Sequence, residues 1–326
     1  LAAGALAPAT SFGWSVETGP GFLNTDSAGD TLLFPIYTTA QNATTSFSVT
    51  NTSDEETVLA KIRFREQTQS MDVLDFYAIL SPNDKFDFWV ERPNGDMRPS
   101  MGWSDNTCVV GPAGERVMFP EPSPFVAFGS DNPEEDMQLG HLEVLGVANL
   151  SNACLASDGS FYDVPNGVCS TGDTNVGSLA KHDSNGVPPG CNTLVSAFAS
   201  PSTVAAMNSG MGSSDFLDVD NVLVGRYVIT GAGVGIEGGG DAIAIRDSDL
   251  GPPAQFITAQ SSADCENSGN CTSLYAWDSA EWDHPHLGEM GTLAGFQNAL
   301  AAGAVTGDWS NNADNAVGVD WVLSFP

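Results

Sequence analysis

Three β-rich runs decide the fold: TTSFSVTN (residues 44–51), TVLAKIRFRE (57–66) and FYAILSPNDKFDFWV (76–90). The second run alternates between two sets of residues, Val58, Ala60, Ile62 and Phe64 in one set and Leu59, Lys61, Arg63 and Arg65 in the other. Because successive side chains of a β-strand point to opposite faces, this run predicts a strand with one apolar and one mostly cationic face. We expect the apolar face to pack in a core and the cationic face to meet water or a partner.

The third run predicts a turn followed by another strand. Pro82 fixes its own φ angle, and Asn83 and Asp84 can hydrogen-bond to their own backbone, as turn residues do. Phe86 and Phe88 then restore the alternation of a strand. Strands joined by polar turns in this way are typical of a sandwich.

The composition favours the same fold class. The chain has 326 residues, of which 35 are glycine, 19 are proline and 41% are hydrophobic, so it can bury a large core while turning often. We predict an all-β fold, an immunoglobulin-like or jelly-roll-type β-sandwich with long loops and two or three short helices. We divide it into an N-terminal arm (1–18) and an enlarged sandwich domain (19–326), with loop insertions at about 97–139 and 150–215.

Weaker signals extend the pattern along the chain. Further strands are predicted at 31–38, 141–147, 222–229, 241–245 and 317–325, and helices at 191–207 and 292–302. Pro35 interrupts the first of these strands, and proline within a sheet is normally confined to an edge or a bulge.

The chain is strongly acidic, with 41 Asp and Glu against 10 Lys and Arg and a net charge of -31. Such a surface repels nucleic acid and anionic membranes, so we expect no nucleic-acid partner. No run reaches the roughly 20 apolar residues of a membrane span. Two explanations of the acidity stay open, solubility in a saline setting and neutralisation of clustered carboxylates by divalent cations.

Calcium is the one cofactor that the sequence suggests, although none is required. The candidate ligands offer hard oxygen atoms at close spacing, and they are Asp215, Asp218, Asp220, Asp247 and Asp249. Their spacing is not that of an EF-hand, and the alternative is that they are solvated loop residues. An HxH pair, His284 and His286, lacks a defined third ligand for a transition metal.

Six cysteines predict disulfides and therefore an oxidising compartment. They are Cys108, Cys154, Cys169, Cys191, Cys265 and Cys271, and none has the CxxC spacing of a zinc site. We expect Cys265 to pair with Cys271 across a short polar turn. Cys154 is expected to pair with either Cys169 or Cys191.

The N-terminal arm begins with small apolar residues that resemble the end of a signal peptide. Phe12, Trp14 and Val16 then alternate with small residues, as in a strand. This strand either completes the sheet of a neighbouring subunit or packs on its own domain.

The strand blocks also resemble a group of uncharacterised exported bacterial β-sandwich surface proteins. The blocks are TLLFPIYTT, AKIRFRE followed by DVLDFYAILSPND, GHLEVLGVANL and VGVDWVLSFP. The resemblance covers about half of the chain. It implies export, a sandwich fold and a secreted, extracellular or cell-surface location on a bacterium, and it supplies no activity and no catalytic residues.

We therefore predict a structural subunit of an extracellular filament, a homopolymer in which the arm adds a strand to the next subunit. The alternative is a monomeric surface binding module or adhesin for carbohydrate or calcium, with Trp103, Trp282 or Trp309 as stacking platforms. No Gly-x-Ser-x-Gly motif is present and no acid–base pair stands out, so we predict no enzyme.

Overall fold

The structure is a computed structural model, and it describes residues 22–23, 28–68, 72–93, 96–110, 116–119, 132–159, 161–164, 166–198, 219–231 and 236–246. The predictions for other residues, including the strand at 317–325 and the helix at 292–302, lie outside this part of the chain. Within it, the predicted all-β sandwich with a few short helices is confirmed.

Two antiparallel sheets form the sandwich in the described part of the chain. Sheet A has the order β1 (Phe22–Leu23), β16 (Ile243–Arg246), β2 (Thr31–Thr38), β10 (Leu139–Asn149), β4 (Val58–Glu66), β5 (Asp72–Leu80) and β8 (Cys108–Val110). Sheet B has the order β15 (Ile236–Asp241), β14 (Leu223–Gly231), β3 (Ala43–Asn51), β6 (Lys85–Glu91), β7 (Ser100–Trp103) and β9 (Arg116–Met118).

Aromatic side chains from both sheets meet in the core. Phe47 of sheet B stacks on Phe88 with ring centroids 5.1 Å apart, and it contacts Phe34 of sheet A edge-on at 5.4 Å. Phe64 of sheet A contacts Phe88 in the same edge-on manner at 6.2 Å. These rings are all at most 2% exposed. The predicted apolar faces of the second and third runs are therefore confirmed as core-facing, and such ring pairs add to the free energy gained by burial.

β2 lies between β16 and β10 in sheet A, but β16 pairs only with residues 31–33, so Pro35 is exposed and has a described strand on one side alone, that of β10. Between Phe34 and Tyr37 the register shifts by one residue relative to Leu142 and Gly140 of β10. This β-bulge leaves a position in the ladder where a missing backbone N–H is tolerated.

A smaller layer covers part of the outer face of sheet A. It contains sheet C, with the order β12 (Phe161–Asp163), β11 (Ala153–Leu155) and β13 (Thr174–Asn175), and the helices α2 (Val176–Ala180) and α3 (Cys191–Phe198). Leu59 and Ile79 of sheet A pack in one buried cluster with Leu155, Val176 and Leu194 of this layer.

The burial of β4 corrects the prediction for its cationic face. Lys61 is 5% exposed and Arg63 is 1% exposed, so these side chains do not meet water. Alternation alone identifies which residues share a face, but only the packing of more distant segments decides whether that face is covered.

The first predicted loop insertion also differs from expectation. Residues 97–139 contain the short strands β7, β8 and β9 and the single-turn helix α1 (Pro133–Asp136). Each strand has only three or four residues, which is too short to show a period-two pattern in sequence. In the second insertion, the helix predicted at 191–207 is described as α3 over its first eight residues.

Candidate functional site

The first described strand after the N-terminal arm lies at an edge of the sandwich. The two residues of this strand, β1, are Phe22 and Leu23, and they pair with Arg246 and Ile245 of β16. In the described part of the chain β1 is the last strand at this end of sheet A. The predicted assembly residues Phe12, Trp14 and Val16 lie outside the described residues.

The edge strand of sheet B next to β14 is rich in glycine. Within the described residues, β15 pairs with β14 and no strand pairs with its other side. A Cβ atom at Gly238 would have no heavy atom within 4 Å, whereas a Cβ atom at Gly239 would lie 2.4 Å from the carbonyl oxygen of Tyr227. Glycine in a strand often marks a place where another backbone approaches, and an edge strand presents unpaired backbone groups to such a partner.

A short segment before β14, residues 219–222, is fastened to the turn between β3 and β4. The backbone N–H and the hydroxyl of Thr52 both donate to the carbonyl oxygen of Val222 at 2.8 Å. The backbone N–H of Asp220 donates to Glu56 Oε2 at 3.3 Å. We call residues 219–222 the strap.

Glu56 and Asp220 form a carboxyl pair beneath this attachment. Glu56 is only 8% exposed. Burial, together with the hydrogen bond and the negative charge of the Asp220 side chain, raises the pKa of Glu56 to about 7. A protonated Glu56 can donate a hydrogen bond to the side chain of Asp220, whereas two neighbouring ionised carboxylates repel each other.

Asp220 is the one predicted calcium ligand that the structure describes; Asp215, Asp218, Asp247 and Asp249 lie outside the described residues. The described residues contain no group of three or more His, Cys, Asp or Glu side chains that could hold a metal ion. Asp220 instead lies beside Glu56, and the two residues form a pair of carboxyl groups.

Sheet A contains a second cluster of charges, between β4 and β10. Arg65 Nε lies 2.8 Å from Glu143 Oε2, and His141 Nε2 lies 3.6 Å from Glu143 Oε1. Burial alone would raise the pKa of Glu143, but the charges of Arg65 and Arg63 and the polar contact with His141 outweigh it and lower the pKa to about 2. The cationic face of β4 is thus partly neutralised by an acid on β10.

His182 lies near a serine and an aspartate, but the three do not have the geometry of a catalytic triad. Ser81 Oγ lies 3.5 Å and Asp84 Oδ1 lies 3.6 Å from the same ring nitrogen, Nδ1 of His182. A triad uses the two different ring nitrogens, one toward the nucleophile and one toward the acid.

Two disulfides are present in the described residues. Cys154 is bonded to Cys169 within the small layer, and Cys191 of α3 is bonded to Cys108 of β8. Of the two partners left open for Cys154 by the sequence, Cys169 is the one observed here. Because the second bond joins α3 to an edge strand of sheet A, it fastens the covering layer to the sandwich.

Of the predicted stacking platforms, Trp103 packs against the sandwich core and Trp282 and Trp309 lie outside the described residues. The sequence prediction missed a different aromatic residue, Trp89, which lies on the outer face of sheet B. The alternation of the strand could have identified it, because Trp89 lies between the core residues Phe88 and Val90 and must therefore point outward.

The described helices include none that is long and apolar enough to cross a membrane. Comparison of the chain with protein-family models, with curated proteins and with solved structures gives no match. The fold and its sites therefore define the class, a disulfide-bonded all-β sandwich with a covering layer on one sheet.

Proposed function

We propose that the protein is a structural subunit of an extracellular or cell-surface filament. Subunits associate when the N-terminal arm of one copy adds a strand to a sheet of the next. The observation that supports this proposal is the position of β1, the first described strand after the arm, at the end of sheet A in the described part of the chain. An extended segment that starts at an edge can leave its own subunit without disturbing the core.

The acceptor in this proposal is the side of β15 that pairs with no strand in the described part of the chain. Gly238, Gly239 and Gly240 carry no side chains, so a donor strand could approach the backbone there and form main-chain hydrogen bonds along it. Phe12, Trp14 and Val16 share one face of an extended arm because they are two residues apart. Their side chains would set the register of the added strand.

A head-to-tail contact of this kind does not close on itself, so it propagates as a fibre. The two disulfides support a role outside the cell, because they persist in oxidising compartments and stabilise a subunit against unfolding. The high acidic charge keeps free subunits soluble, and salt or divalent cations would screen it in the assembled state.

Deletion of residues 1–18 is expected to abolish filament formation and leave a folded monomer, because the donor strand is removed while the sandwich keeps its core. Negative-stain microscopy and size-exclusion chromatography of the native and truncated chains measure this. A truncated chain that still forms regular filaments would refute the role of the arm. Isolated particles of the native chain at high concentration would refute the filament itself.

A second variant tests the acceptor edge separately. Gly238→Lys places a charged side chain where a Cβ atom meets no neighbour, so the fold should tolerate it while strand addition is blocked. Val168→Lys is the matched control, since Val168 is 76% exposed and lies in the small layer.

Addition of a chelator to native filaments tests whether calcium joins the subunits, because filaments that depend on calcium would then dissociate.

A further inference from the structure

In the described residues, the outer face of sheet B has one large aromatic side chain, Trp89. Its direct cross-strand neighbours are Ser46 on β3 and Gly102 on β7. The next residue along this row beyond Ser46 is Val228 on β14, which is 44% exposed. The other outward positions of β3 are Ser or Thr, and charged side chains, Asp87 on β6 and the exposed Arg226 on β14, lie in the next row.

Trp89 is held in one orientation. The indole lies across Gly102, where a Cβ atom would lie only 2.7 Å from its Cζ2 atom. Its Nε1–H donates to Glu91 Oε1 at 3.2 Å, and Arg116 forms an ion pair with the same carboxylate. Arg116 also donates to Ser100 Oγ at 3.2 Å. Because the ring is already fixed, a ligand that stacks on it loses little of its binding energy to ordering the site.

We propose that this face, centred on Trp89, binds a neutral polysaccharide of pyranose units. The C–H groups of a pyranose ring carry a partial positive charge and pack on the negative face of an aromatic ring. The carboxylate of Glu91, the guanidinium of Arg116 and the hydroxyl of Ser46 are the acceptors and donors that sugar hydroxyls require.

Two further observations specify the ligand. Trp89 and Val228 lie two strand spacings apart, about 10 Å, so their apolar surfaces can contact alternate sugars of an extended chain across the sheet. The net charge of -31 repels acidic polysaccharides at long range, so a neutral glycan is favoured. This inference does not depend on filament formation, because it uses the face of sheet B and not its edge.

The test is native gel electrophoresis of the full chain in gels cast with hydroxyethyl cellulose, laminarin, galactomannan or xyloglucan, with alginate as the acidic comparison. We expect at least one neutral polysaccharide to retard the protein. Trp89→Ala should weaken that binding about tenfold or more, since truncation of a central tryptophan commonly has a large effect. Val168→Ala, at an exposed position of the small layer, should bind as the native chain does.

Gly102→Ala provides a second variant that keeps the tryptophan but displaces its ring. It should also weaken binding, with the fold verified by circular dichroism, whereas Trp89→Phe should retain part of the affinity. The proposal is overturned if no neutral polysaccharide retards the native chain, if alginate retards it more strongly than all of them, or if folded Trp89→Ala binds unchanged.

Discussion

Replacement of Glu143 by glutamine is expected to lower the free energy of unfolding by about 3–5 kcal/mol, the usual cost of removing one partner of a buried ion pair. The side chain of Glu143 is 4% exposed, and it contacts Arg65 at 2.8 Å and His141 at 3.6 Å. Glutamine has nearly the same shape but no charge. The guanidinium of Arg65, whose side chain is 12% exposed, would then lose the charge of Glu143. Urea unfolding at pH 7, followed by circular dichroism, measures the change.

Glu135→Gln is the matched control, because Glu135 lies exposed on the short helix α1 and should change stability by less than about 0.5 kcal/mol. The double variant Arg65→Gln/Glu143→Gln should lose less than the sum of the two single variants, since the second change removes the charge left by the first. Additive losses would show that the two side chains are not coupled.

The same ion pair determines a loss of stability in acid. The pKa of Glu143 is about 2 in the folded chain, below its ordinary value of 4.5. The stabilisation is therefore present above pH 4.5 and is lost as the pH falls toward 2. Unfolding curves of the native chain and Glu143→Gln should converge over this range.

Glu56 is expected to make stability depend on pH in the opposite direction. Its pKa is raised from 4.5 to about 7, so the folded state binds the proton more tightly than the unfolded state. The stabilisation is present below pH 4.5 and is lost as the pH rises through 7. This corresponds to about 2–3 kcal/mol between pH 5 and pH 8. The charges that face Glu56 are Asp220 on the strap and Glu55 on its own turn.

Glu56→Gln imitates the protonated carboxyl group at every pH. We expect this variant to be more stable than the native chain at pH 8 and about equally stable at pH 5, as measured by thermal or urea unfolding. Glu135→Gln is the matched control, because Glu135 is exposed on α1 and is not among the charges that face Glu56. Equal pH profiles for the native chain and Glu56→Gln would contradict the raised pKa of Glu56.

The strap gives the Glu56 pair a structural consequence. It leads directly into β14, the strand that holds the proposed acceptor β15. Ionisation of Glu56 would add repulsion between its carboxylate and the side chain of Asp220, while leaving the two hydrogen bonds from Thr52 to Val222 in place. The strap is thus held by one pH-dependent contact and one that does not titrate.

Much of the sandwich could be predicted because its signals are local. Phe86 and Phe88 alternate with polar or amphipathic residues, and both are buried in the core. The turn before them is also local, since Asn83 adopts a positive φ of 59° and the backbone N–H of Asp84 donates to Ser81. Neither feature needs information from distant parts of the chain.

The candidate sites could be predicted only in part, because they are made by residues far apart in sequence. Glu56 and Asp220 are separated by 164 positions, and no pattern near either one indicates the other. Arg65 and Glu143 meet because β4 and β10 are neighbours in sheet A. Trp89 was identifiable as an outward residue. Its fixed orientation depends on Gly102, which lies directly opposite it on the neighbouring strand β7.

The sequence by itself determined the fold class, the apolar faces of β4 and β6 and the presence of cysteines suited to disulfides. These follow from period-two alternation, turn residues and composition, which act over a few residues. Only the tertiary structure decided that the cationic face of β4 is buried, that Cys108 joins Cys191, and that Glu56 meets Asp220. Each of these depends on which distant segments pack together, because burial and pairing are properties of the folded chain and not of a local pattern.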